Sequence, residues 1–180
     1  MKTFTVPNFL TLLRILAVPV FIIFFKKNIT VSTAIFFFAI ITDVIDGVVA
    51  RLSRSRSVLG TMLDPLADKL LIDTAFILFA FNNIPALPMI PDWIAIVVIS
   101  RDILLIIGWL LVYIITHNMK VEPSVFGKFT NFLESTSVML LLLNSVFSLN
   151  LNLEIYLYAT VLMCAISLFD YSWKGIKRFG

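Results

Sequence analysis

Asp43-Val44-Ile45-Asp46-Gly47-Val48-Val49-Ala50-Arg51, continued by Gly60, Asp64 and Asp68, sets four carboxylates at the edges of strongly apolar segments. A charged side chain inside a membrane helix costs roughly 2.5–3.5 kcal/mol on insertion scales. Four of them would cost on the order of 10 kcal/mol unless something neutralises them. A divalent metal site is the obvious partner. The rest of the chain reads as a place built for it.

The surroundings are a membrane's. The chain is 60% hydrophobic and 14% charged, with mean hydropathy +1.02, against about 45–50% and about 25% in soluble domains. An integral membrane protein of one domain, residues 1–180, is expected, since this length leaves no room for a soluble second domain. The single cysteine, Cys164, lies in an apolar run, so neither a disulfide framework nor a thiolate site is available. A formal charge of +3 is too small to argue for nucleic acid. Met1-Lys2 precedes an apolar stretch that contains Arg14 and no small-residue cleavage site, so a retained first helix is expected.

Six apolar segments, 7–25, 32–52, 61–81, 92–116, 129–148 and 152–172, are long enough or nearly so to cross about 30 Å of hydrocarbon. The expected fold is therefore all-α, with six transmembrane helices. Lys2, then Arg51, Arg54 and Arg56, then Lys120 and Lys128, then Lys174, Lys177 and Arg178 mark the termini and the even connections. The positive-inside rule puts these on the cytoplasmic side. Lys26 and Lys27, in the first connection, run against it.

Helical spacing organises the acids. Asp43 and Asp46 are three apart and Gly47 is four from Asp43, so they share a face; Asp64 and Asp68 are four apart. Two carboxylate pairs on two helices follow the logic by which bundle cores hold two metal ions. Oxygen ligands suit Mg²⁺ or Mn²⁺, and Mg²⁺ commonly binds through one or two carboxylates plus substrate phosphates. Gly47 and Gly60 leave room for a base or phosphate to approach the backbone. Arg51, one turn beyond Gly47, is placed to meet a diphosphate. The competing reading is a buried ion-pair network with Arg51, Arg54, Arg56 and Lys69. It suits any one Asp–Arg pair, but it does not require glycines in register with four Asp. Asn8, Thr11 and Arg14 also form a stripe by threes; either it serves the site, or Asn8 caps and Arg14 snorkels.

Asp43-x2-Asp46-Gly47-x2-Ala50-Arg51-x8-Gly60-x3-Asp64-x3-Asp68 resembles the complete signature of the CDP-alcohol phosphotransferases, with no position departing from it. The resemblance implies a six-helix membrane enzyme, usually a homodimer, with two metal ions. Such an enzyme transfers the phosphatidyl group of a CDP-linked lipid such as CDP-diacylglycerol to an alcohol and releases CMP. Carried over, Asp43, Asp46, Asp64 and Asp68 look like the metal carboxylates, and Asp68 also looks like the general base. Gly47, Arg51 and Gly60 look like nucleotide and diphosphate contacts, joined by Ser57 and by the Asn8, Thr11, Arg14 stripe. The implied location is the inner, cytoplasmic membrane, with the site facing the cytoplasm.

Pro7-Asn8-x2-Thr11-x2-Arg14, Asp64-Pro65-Leu66-Ala67-Asp68-Lys69 and Ser100-Arg101-Asp102 are similar to the bacterial phosphatidylglycerophosphate synthase branch, whose acceptor is sn-glycerol 3-phosphate. Arg101 and Lys128 are then the cations for the acceptor phosphate. The competing reading of Arg101 is a pair with Asp102, against which adjacent helical residues point in different directions. Where that branch has Gly-Lys-x-Lys-Thr-x-x-Gln, this chain has Gly127-Lys128-Phe129-Thr130-Asn131-Phe132-Leu133-Glu134, one cation fewer. A less anionic acceptor, phosphatidylglycerol in a cardiolipin-synthase-type reaction, is the alternative. A non-enzymatic cation pathway is the alternative of another class, but transport sites lie near the bilayer midplane and use repeated or broken helices.

Overall fold

One residue turns the chain between its first two helices. In the computed structural model, α1 runs Val6–Lys27 and α2 runs Ile29–Ser53. Between them the Asn28 side-chain oxygen accepts the backbone N–H groups of Thr30 (3.1 Å) and Val31 (3.3 Å), an N-cap that satisfies two orphan donors. Lys26 and Lys27 are therefore not in a connection. They close the last turn of α1, where the helix dipole favours cations. The remaining helices are α3 (Val58–Ala80), α4 (Asp92–Thr116), α5 (Val125–Phe147) and α6 (Glu154–Phe179). The structure describes residues 6–53, 58–84, 87–116 and 124–179, with side chains at 12–42, 66–67, 69–84, 87–114 and 124–174. Among the described residues there are six helices and no strand.

Every expected segment is a helix, and α4 has the expected bounds. The other helices differ from the expected bounds by a few residues at their ends. α5 starts at 125 rather than 129, because the Lys128 N–H already donates to the Ser124 carbonyl at 3.1 Å. α6 continues to 179 rather than 172, since Trp173 to Phe179 contains no residue that breaks a helix more than Gly175 does.

Contacts divide the chain into two compact units, Met1–Met89 with Val138–Asn150 and Ile90–Ser137 with Leu151–Gly180. In the first, α1 packs along both α2 and α3. Phe21, Phe25, Phe36, Phe76 and Phe79 are fully buried there. Phe25 meets Phe79 edge-on at 5.0 Å, and Phe21 meets Phe36 at 5.9 Å, geometries that suit aromatic quadrupoles. The Ser32 hydroxyl donates to the Phe21 carbonyl at 3.1 Å, a polar tie between α1 and α2. After α3, the buried Asn82 amide donates to the carbonyls of Phe79 and Pro88 and accepts from the Ile84 N–H, which pins the Pro-rich connection.

In the second unit α4 packs against α6. Two stretches, Asp92–Ile114 and Glu154–Lys174, are long and apolar enough to cross a membrane, and only 28% and 22% of their windows is buried inside the protein. A core helix of a soluble fold would hide most of that surface, so these helices fit membrane association. Ile96, Ile114, Leu162 and Phe169 are among the exposed side chains.

α5 ends with Ser148 at φ 49° while the Leu149 N–H reaches the Asn144 carbonyl at 3.4 Å, the 6→1 bond of a Schellman cap. A left-handed conformation costs a non-glycine residue about 1–2 kcal/mol. Glycine's extra chain entropy returns about 0.5–1 of that. Ser148→Gly is therefore expected to raise stability by about 0.5–1 kcal/mol, read as a higher unfolding midpoint in detergent.

Candidate functional site

The acidic motif occupies two helices that both pack on α1. Asp43, Asp46, Gly47 and Arg51 stand in α2, and Gly60, Asp64 and Asp68 in α3. In α2 the buried face is marked by Ser32, Phe36 and Ala39; Asp43 follows Ala39 by four positions, Gly47 follows Asp43 by four and Ala50 follows Gly47 by three. In α3 the buried face is marked by Ala67, Leu71, Ala75 and Phe79; Asp64 precedes Ala67 by three positions and Asp68 precedes Leu71 by three. The side chains of Asp43, Asp46, Gly47, Arg51, Gly60, Asp64 and Asp68, and those of Asn8 and Thr11 in α1, lie outside the described residues. Ser57 lies outside them altogether. In sequence the signature offers four carboxylates and neither imidazole nor thiolate, the donor chemistry that suits a hard divalent ion.

Arg14 belongs to the same unit. Its side chain is 2% exposed, on the face of α1 that also buries Phe21 and Phe25. A snorkelling side chain keeps its head in water, so that reading of Arg14 does not hold.

The second unit contains a buried charged cluster around Arg101. Arg101 is 1% exposed. Its Nη1 donates to Asp102 Oδ1 at 2.5 Å and to Asn131 Oδ1 at 3.1 Å, and its Nη2 donates to Ser167 Oγ at 2.8 Å. Glu134 Oε1 lies 3.6 Å from the same Nη1, and the Cys164 thiol donates to that oxygen at 3.5 Å. The competing reading, a pair of Arg101 with Asp102, is therefore present, against the argument from adjacent directions. The Cα–Cβ directions of neighbours in a helix do diverge, but the long arginine stem carries its guanidinium back to the adjacent carboxylate. One cation thus sits among two buried carboxylates, held by α4, α5 and α6. Lys128, the other cation assigned to an acceptor, is exposed on α5.

One signal of this seam is present in the sequence. Thr160, Cys164, Ser167 and Tyr171 recur at four, three and four along the apolar α6, and they meet Ser137, Glu134, Arg101 and the Ser124 N–H respectively. A stripe of small and hydroxyl-bearing residues along a membrane helix is how such helices approach closely. Gly127 takes part in that approach. A Cβ there would stand 2.9 Å from Tyr171 Cε2 and 3.0 Å from its hydroxyl oxygen. The ring is not free to yield, because its hydroxyl accepts the Ser124 N–H at 3.1 Å. For Gly127→Ala, overpacking of about 1–3 kcal/mol outweighs a helix-propensity gain of about 1. A net loss of about 1 kcal/mol is expected in chemical unfolding, relieved by Tyr171→Phe in the same chain.

Comparison with known proteins agrees with the motif. The family model described as CDP-alcohol phosphatidyltransferase matches residues 4–170. A CDP-diacylglycerol–glycerol-3-phosphate 3-phosphatidyltransferase of Aquifex aeolicus is 30% identical over 176 residues, 96% of either chain. One of Rickettsia bellii is 30% identical over 182 residues, again 96% of each. A CMP-forming cardiolipin synthase of Homo sapiens is 32% identical over 129 residues, 71% of this chain and 40% of that protein. An unbroken acidic signature on two helices packed against a third, inside a match that spans nearly the whole sequence, makes this chain a member of the CDP-alcohol phosphatidyltransferase family of enzymes.

Proposed function

We propose that this enzyme transfers the phosphatidyl group of CDP-diacylglycerol to sn-glycerol 3-phosphate, releasing CMP and forming phosphatidylglycerophosphate. The similarity to glycerol-3-phosphate phosphatidyltransferases over 96% of both chains carries this reading. Asp43, Asp46, Asp64 and Asp68 would hold two Mg²⁺ or Mn²⁺ ions, which supply charge neutralisation for the diphosphate and the departing CMP. Gly47 and Gly60 leave space for the nucleotide, and Arg51, with Arg14, Asn8, Thr11 and Ser57, binds it and its diphosphate. Asp68 takes the proton of the acceptor hydroxyl as that oxygen bonds to the lipid-side phosphorus and the bond to CMP breaks. Arg101 and Lys128 are assigned to the acceptor phosphate. Residues 1–180 act as one catalytic domain with six spans in the inner membrane, both termini and the site cytoplasmic, working as a homodimer.

A second acceptor, phosphatidylglycerol, is favoured by one observation. The Arg101 charge is already matched by Asp102 and Glu134, so an added phosphate dianion would meet a cluster with surplus negative charge. Purified enzyme in nanodiscs with CDP-diacylglycerol, Mg²⁺ and single acceptors separates the readings. CMP release with glycerol 3-phosphate, above phosphatidylglycerol, inositol phosphate and serine, is the expected result. Release with phosphatidylglycerol alone would sink the first reading.

A further inference from the structure

We infer that the groove between α1 and α2 holds one acyl chain of the lipid donor. The groove has a volume of about 520 Å³ and is lined by Leu16, Ala17 and Val20 on one wall and Val31, Ile35 and Phe38 on the other. Arg14 and Thr42 line the end of the groove away from the Asn28 turn, and Arg14 is the charged residue of the lining. Small Ala17, Ala34 and Ala39 leave the space open. The Phe-rich run divides accordingly: Phe36 is buried in the aromatic core, while Phe38 is 65% exposed along the groove.

Three observations select the occupant. First, the walls are apolar over the whole length except at the Arg14 end. A long hydrocarbon chain suits those walls, and a lipid with an anionic head places its charge at the Arg14 end. Second, Thr42 directly precedes Asp43, so the groove opens where the acidic motif begins. Third, Val31 and Thr42 are eleven helical steps apart, about 16 Å at 1.5 Å per residue. That is about half of a 30 Å hydrocarbon core, the depth of one leaflet. A chain entering from the lipid's own leaflet fits this depth, with its diphosphate beside Arg14 and the Asp43 end of α2. The inference rests on the family's CDP-diacylglycerol donor and is independent of which acceptor is used.

Blocking the far end of the groove tests it. Ile35→Trp on one wall and Val20→Trp on the other shorten the space beyond its midpoint and leave the Arg14 end untouched. With dioleoyl CDP-diacylglycerol, each is expected to lower kcat/KM at least about tenfold, the worth of about two buried methylenes. With the dioctanoyl donor and in the acceptor KM, little change is expected. Equal loss on both donors, or no loss on either, would overturn the groove assignment. A donor carrying a photoreactive group near the chain end should also label residues 16–20 or 31–38 of the wild-type enzyme. Dioctanoyl CDP-diacylglycerol should compete this labelling, and phosphatidylcholine should not. Labelling that only bulk lipid dilutes would mean an ordinary bilayer chain fills the groove. Absence of turnover by wild type with any acceptor would instead refute the proposed function, so the two failures are distinguishable.

Discussion

Asp68→Asn is expected to reduce CMP release by about 10²–10⁴-fold, the usual worth of a positioned general base. Asparagine keeps the shape and one oxygen but cannot accept a proton. A metal-only role predicts a different outcome: saturating Mg²⁺ or Mn²⁺ would then restore turnover. The base role predicts that added metal does not rescue. Asp73→Asn is the control, five residues on in α3 and half-buried. It is expected to leave kcat within about twofold, because it lies outside the signature and outside the proposed chemistry. Turnover of Asp68→Asn near the wild-type level would remove Asp68 from the reaction.

Arg101→Met carries the largest expected loss of stability, about 3–5 kcal/mol, because it leaves Asp102 and Glu134 buried without their cation. Methionine occupies similar volume, so a packing defect contributes little and the loss reports charge. Adding Glu134→Gln to this variant removes one of the stranded carboxylates and should return part of the loss. Glu134→Gln alone keeps an acceptor oxygen for the Cys164 thiol, leaves Asp102 with Arg101, and should cost about 1 kcal/mol. Chemical unfolding in detergent, followed by tryptophan fluorescence, measures all three. A shift under about 0.5 kcal/mol for Arg101→Met would show that the cluster contributes nothing to folding. The single Glu134→Gln variant also bears on the acceptor: it lowers the KM for glycerol 3-phosphate if Arg101 serves the phosphate, since one competing anion has gone.

These two expectations come from different kinds of information. The acidic signature was legible because its members lie within 26 residues, at spacings that a helix turns into faces. The partners of Arg101 were not legible, because Asn131 and Ser167 lie 30 and 66 residues away on other helices. Glu134 was read as a departure from a family pattern, yet here it is the second anion beside a buried cation. The regular recurrence of Thr160, Cys164, Ser167 and Tyr171 could have predicted a polar seam on α6, although not which helix would meet it.

The apolar runs alone determined that the described residues are helical and roughly where their helices lie, and the spacing of the acids set out which carboxylates share a helix. Those properties depend on local periodicity and on the cost of placing charge or bare backbone in hydrocarbon. Only the packed structure decided that Arg14 is buried on α1's inner face, that Arg101 is matched by Asp102 and Glu134, and that an open groove runs from the Asn28 turn toward Asp43. Each of these depends on how far a long side chain reaches and on which distant surfaces meet. A linear spacing does not encode either one.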